Sequence, residues 1–215
     1  MAMGDVIDLQ LRRTRRAQSA PAEPVYYFDV TCPMSYLATE RVERSLGQIE
    51  WVAVDGSAMR GDAPAADPAT IRARAEMHAR ALGLPVIWPD RFADGGARAR
   101  RAASFACELG AGAAFALAAG RLAYCGGFDL DDPETLAEAA AAAGVPLAPC
   151  LEAAGESWRD EELRELGRTL CAQGLTEPPV ISVGEHWFGG ITDLMAAGAQ
   201  LSDAVSAKRP LAPVG

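Results

Sequence analysis

Cys32 is the residue of this 215-residue chain best placed to do chemistry. It stands in the run Thr31-Cys32-Pro33-Met34-Ser35, directly after the apolar and aromatic segment Val25 to Val30. Pro33 suits the first turn of a helix, where a missing N–H costs nothing. The spacing therefore sets Cys32 at a helix N-terminus, where unpaired N–H groups and the helix dipole favour an anion. A thiolate is the nucleophilic form of cysteine, and such a place lowers its pKa. Ser35 lies one turn along and brings a hydroxyl and an N–H to the sulfur. Cys32 and Ser35 are thus the candidate catalytic pair. The competing reading is that Cys32 is only a small buried hydrophobe.

Other chemical candidates are weaker. The five cysteines form no Cys-x-x-Cys pair, and His78 and His186 are the only histidines, so no metal site is expected. Gly110-Ala111-Gly112 has Phe115 where a dinucleotide fingerprint needs its third glycine. Asp129, Asp131 and Asp132 read as helix caps. Cys107, Cys125, Cys150 and Cys171 fall on Ala-rich helical stretches and read as core residues. Trp88 between Pro85 and Pro89 reads equally as pocket lining and as core packing.

Positioning Cys32 requires a strand before it and a sheet beside it. Val25 to Val30 reads as a buried strand, a helix follows to about Leu46, and Ile49 to Val54 reads as a second strand. Strand, helix and strand in so short a span make a βαβ unit. The middle is helical. One helix runs from Asp67-Pro68 to Leu82 and ends at Gly83; others cover 98–109 and 112–125. Another starts at Asp132-Pro133-Glu134, and short ones continue to about Gly174. The end returns to β: Val180 to Val183, a turn at Gly184-Glu185, then His186 to Phe188. A last helix begins near Thr192 or Asp193.

The order is β-α-β, a helical block, then β-β-α. The expected class is α/β, a thioredoxin-like fold with an all-helical insertion. Residues 1–24 read as a flexible appendage, 25–60 and 175–215 as the two halves of the thioredoxin-like unit, and 61–174 as the insertion. In such a fold a cis-proline faces the reactive cysteine from just before the final hairpin, the place of Pro178-Pro179.

Composition limits the partners. The formal net charge is −9, which argues against a nucleic-acid binder. The cluster Arg12, Arg13, Arg15 and Arg16 reads as part of a solvated, mobile terminus. No apolar stretch is long enough for a membrane span. The first residues lack the pattern of a secretory signal, so a reducing cytoplasm is expected.

Tyr27-Phe28-Asp29-Val30-Thr31-Cys32-Pro33-Met34-Ser35-Tyr36-Leu37 resembles the active-site segment of the DsbA-like superfamily. In particular it resembles the branch holding 2-hydroxychromene-2-carboxylate isomerases and kappa-class glutathione transferases. Leu82-Gly83-Leu84-Pro85, Asp132-Pro133-Glu134 and Pro179-Val180-Ile181-Ser182-Val183-Gly184 through Phe188-Gly189-Gly190 extend the resemblance over roughly residues 25 to 200. It implies that Cys32 occupies the place of the branch's catalytic serine and of the oxidoreductases' nucleophilic cysteine. Ser35 occupies the place of their resolving cysteine. Pro33, Met34, Pro178, Pro179 and Val180 fall on substrate-binding positions, with Pro179 best aligned to the cis-proline. Pro178 then has no N–H to pair with glutathione or a peptide. Thr192 aligns with an aspartate that holds a γ-glutamyl group, and Asp193 stands beside it.

The leading expectation is an enzyme: a single-cysteine thiol-disulfide oxidoreductase or thiol-transfer enzyme acting on a small-molecule thiol or disulfide. An external thiol would resolve its mixed disulfide, since Ser35 cannot. No tightly bound cofactor is expected, with glutathione or another low-molecular-weight thiol as cosubstrate. The first alternative is a kappa-transferase-like or chromene-carboxylate-isomerase-like enzyme. The second is a non-catalytic docking module. The resemblance also implies a homodimer.

Overall fold

The computed structural model describes residues 24–45, 49–92 and 95–194. The expected appendage before Pro24, the helix stop at Gly47 and the tail beyond Leu194 lie outside them. The described strands are β1 (Val25–Phe28), β2 (Glu50–Ala53), β3 (Val180–Val183) and β4 (His186–Gly189). They form one sheet in the order β2-β1-β3-β4. β1 runs parallel to β2 and antiparallel to β3, and β3 runs antiparallel to β4. The parallel pair needs a crossover, which α1 (Pro33–Ser45) supplies.

The two faces of β1 alternate with the period of a strand. Tyr26 and Phe28 are fully buried in the large core, stacked on each other and met edge-on by Trp51. Tyr27 faces the other way, beside a smaller core of Val54, Met59, Leu170 and Val180.

The helical block comprises α2 (Pro68–Leu82), α3 (Ala97–Glu108), α4 (Gly112–Tyr124), α5 (Pro133–Ala142), α6 (Leu147–Gly155) and α7 (Arg159–Ala172). Its ends follow the sequence signals. Asp67 accepts the Thr70 N–H at the start of α2, Gly83 closes that helix in the left-handed conformation, and Asp132 accepts the Glu134 N–H to start α5. Ala99, Ala102, Ala103 and Ala106 form the buried face of α3 at the spacing of one helical stripe. Such small side chains let α3 pack closely on α6 and α4. α7 lies against the 3-10 turn Ala58–Arg60 and closes the smaller core through Leu170 and Leu166. The last helix of the block therefore serves the sheet directly. Several element ends differ from expectation by one to three residues, and two of them bear on the site. β1 stops at Phe28, because Asp29 already turns into the site, and the final helical segment opens at residue 190, where the Gly190 N–H reaches the Pro179 carbonyl at 2.8 Å.

Candidate active site

The site is the turn between β1 and α1. The Cys32 N–H donates to the Asp29 carbonyl at 2.9 Å, and the Tyr36 N–H donates to the Cys32 carbonyl at 3.1 Å, so the turn passes straight into the helix. Two tyrosines hold it from outside. The Tyr26 hydroxyl donates to the Ser35 carbonyl at 3.2 Å, and the Tyr124 hydroxyl donates to the Thr31 carbonyl.

Asp29 organises the turn. Its carboxylate is buried and accepts from the Thr31 N–H at 2.9 Å, the Thr31 hydroxyl at 2.7 Å and the Gly56 N–H at 2.9 Å. Its own N–H donates to the Ser35 hydroxyl oxygen at 3.2 Å. Arg100 from α3 donates to the Thr31 hydroxyl at 3.1 Å and stands 4.0 Å from Asp29 and 3.8 Å from Asp55. Burial of Asp29 without such partners would be costly.

Across the turn, the bond Pro178–Pro179 is cis. The Pro178 carbonyl faces the sulfur, and Cys32 Sγ donates to it at 3.8 Å. Gly56 makes room for this approach: a Cβ there would lie 2.8 Å from Pro178 Cγ and 3.2 Å from Asp29 Oδ2. Gly96 leaves room on the far side of the turn, where a Cβ would collide with Thr31 Cγ2.

The thiol differs from the sequence expectation. It is pushed up, to about 11, rather than held down. Burial of the sulfur is the larger cause and the neighbouring Asp29 carboxylate the second. Ser35, through its hydroxyl and N–H, and the Met34 N–H pull in the expected direction but do not outweigh them. The helix N-terminus acts as the sequence implies; the packing round the sulfur and the carboxylate three residues upstream win.

Beside Cys32 opens a cavity of about 360 Å³. Its wall includes Cys32, Pro33, Met34 and Pro178, so four of the expected site residues meet there. Ser35 is buried behind the sulfur. Val180 is fully buried in the smaller core. Pro179, Thr192 and Asp193 are not on the cavity wall, and the last two are exposed. Trp88 packs edge-on against Phe92 and Tyr124 and donates to Glu76, while its neighbour Pro89 lines the cavity. Asp131 accepts the Gly96 and Arg98 N–H groups at the start of α3, and Asp129 accepts from Arg91.

The sequence reading missed Asp29 as a site residue, together with Arg100, Asp55, Gly56 and Tyr124. For Asp29 a signal existed: a charged residue closing an apolar strand run, three positions before the cysteine. Arg100 is 71 positions from Asp29 with nothing local to mark it, since α3 carries two other arginines, Arg98 and Arg101.

No protein-family model matches this chain, and no curated protein sequence matches it. Solved structures do. A 2-hydroxychromene-2-carboxylate isomerase superposes with a TM-score of 0.70 at 16% identity, covering 84% of this chain and 94% of that one. A probable DsbA oxidoreductase of Streptomyces coelicolor superposes with a TM-score of 0.65 at 20% identity, covering 89% of this chain and 93% of that one. No described helix is long and apolar enough to cross a membrane. The chain has the DsbA-like thioredoxin fold, a mixed α/β architecture of a four-stranded sheet and a helical block.

Proposed function

We propose that this protein is an enzyme of small-molecule thiol chemistry in which Cys32 is the single reacting cysteine. The observation that carries the reading is Cys32 on the wall of a cavity of about 360 Å³ that contains no second cysteine. A cavity of that size suits a small molecule rather than an extended chain. Ser35 cannot form a disulfide. The step therefore runs between molecules. Cys32 gives its proton to water and the thiolate attacks one sulfur of a low-molecular-weight disulfide. A new S–S bond forms at Cys32, the old one breaks, and the departing half leaves as a thiolate. An external thiolate then attacks the mixed disulfide and releases Cys32.

Burial and the Asp29 carboxylate raise the thiol to about 11, so only a small fraction is thiolate at neutral pH. Turnover by this route is slow at neutral pH and rises with alkalinity. The same observation supports a second reading. A thiol that stays protonated behaves as a hydroxyl would: turned from the Pro178 carbonyl into the cavity, its S–H would donate to the sulfur of a glutathione-like cosubstrate, as in an isomerase or transferase. A docking module would need no cavity at its cysteine.

The test uses the chain with Cys107→Ser, Cys125→Ser, Cys150→Ala and Cys171→Ser, incubated with oxidised glutathione. One glutathione on Cys32, removed by added thiol, supports the oxidoreductase reading. Non-covalent binding of reduced glutathione without a mixed disulfide supports the second. If neither the mixed disulfide nor the non-covalent complex forms, the enzyme reading falls.

A further inference from the structure

The charges on the cavity wall say what kind of molecule it takes, given that Cys32 is the reacting atom there. Four arginines line it, Arg60, Arg74, Arg91 and Arg100, with four carboxylates, Asp29, Asp55, Asp129 and Glu177. Seven of these eight are already satisfied. Arg74 pairs with Glu177 at 2.6 Å and Arg91 with Asp129 at 3.2 Å. Arg100 stands between Asp29 and Asp55. Those two carboxylates are further held by Thr31, Gly56 and Ser57. The Arg60 guanidinium has no ion-pair or hydrogen-bond partner among the described residues.

Its place is fixed. Arg60 ends the 3-10 turn Ala58–Arg60, and the residue before it, Met59, is fully buried in the smaller core with Val54, Leu170 and Val180. α7 packs over the same turn. The backbone is therefore anchored, and the cation is carried on a wall shared with Cys32.

We propose that Arg60 receives the carboxylate of the small molecule that reacts at Cys32, so that the cavity's substrate is a carboxylate-bearing thiol compound or disulfide. A guanidinium fits a carboxylate with two parallel N–H bonds. One unpaired cation matches one negative charge. A dianionic phosphate would leave a charge facing Asp129 and Glu177 on the same wall.

The test compares two aromatic disulfides on the chain in which Cys32 is the only cysteine, at mildly alkaline pH. Dithiobis(nitrobenzoate) carries a carboxylate on each ring; dithiodipyridine carries none. Arg60→Gln should slow exchange with the first about tenfold, the order of a lost charge-assisted hydrogen bond, and leave the second unchanged. Arg60→Lys should restore part of the rate. Arg41→Gln removes the same charge from an exposed position of α1 outside the cavity and should change neither rate. Equal rates in the parent and Arg60→Gln chains for both reagents overturn the proposal while leaving Cys32 as the reacting atom. A matching loss in Arg41→Gln overturns it as well, since the effect would then be long-range charge alone. If Cys32 exchanges with neither reagent in the parent chain, the functional reading and this proposal fall together.

Discussion

The Asp29 carboxylate accepts the Gly56 N–H at 2.9 Å, and that bond ties the reactive turn to the loop against which Pro178 rests. Cys32 is thus held between two segments more than a hundred residues apart in the chain, with Pro178 on one side and Asp29 on the other.

Gly56→Ala is expected to destabilise the fold by about 1–3 kcal/mol, the usual cost of overpacking. The new methyl would stand 2.8 Å and 3.0 Å from two atoms of the Pro178 ring, which a proline cannot swing aside. Denaturant unfolding measures the loss. An unchanged midpoint would mean that the junction is looser than described.

Asp29→Asn removes the negative charge that raises the thiol. The apparent pKa of Cys32 should fall below about 11 yet stay above its ordinary value of 9.0, because burial, the larger cause, remains. The rate of alkylation against pH reports it. The same change leaves an amide where Thr31 and Gly56 both donate, so stability should fall by about 1–3 kcal/mol.

The direction of that shift separates what local sequence reveals from what it hides. The caps at Asp67, Gly83 and Asp132, the strand before Cys32 and the alternating β1 are local, and their signals lie within a few residues. The helix N-terminus at Pro33 is equally local, and it does act on the sulfur. The opposing effect depends on which way the Asp29 carboxylate points. That is set by Gly56 and Arg100, brought in by β2 and α3, and no spacing near Cys32 encodes it. The cavity is hidden for the same reason, since its wall gathers residues from Asp29 to Pro178.

Tyr124→Phe should cost about 1–3 kcal/mol by leaving the Thr31 carbonyl without its hydroxyl donor. The effect should extend to Cys32, whose alkylation rate changes at constant pH. Thermal unfolding and the same alkylation assay, run side by side, check both parts.

Stability should decline at alkaline pH. The folded thiol ionises at about 11 and the unfolded one near 9.0, so between these values the unfolded chain binds fewer protons and stability falls as pH rises. Tyr26 and Tyr124, also raised by burial, extend the fall to higher pH. Cys32→Ser should flatten the slope between pH 9 and 11. Equal slopes for the two chains would show that Cys32 is not the group responsible.

Whether Cys32 carries its reacting sulfur toward the cavity is read from its alkylation rate against pH in the chain where it is the only cysteine. The rate should climb steadily through the alkaline range toward about pH 11, with protection by a small carboxylate-bearing thiol or disulfide. A sulfur that stays unreactive at every pH at which the chain remains folded, and reacts only on unfolding, would contradict it.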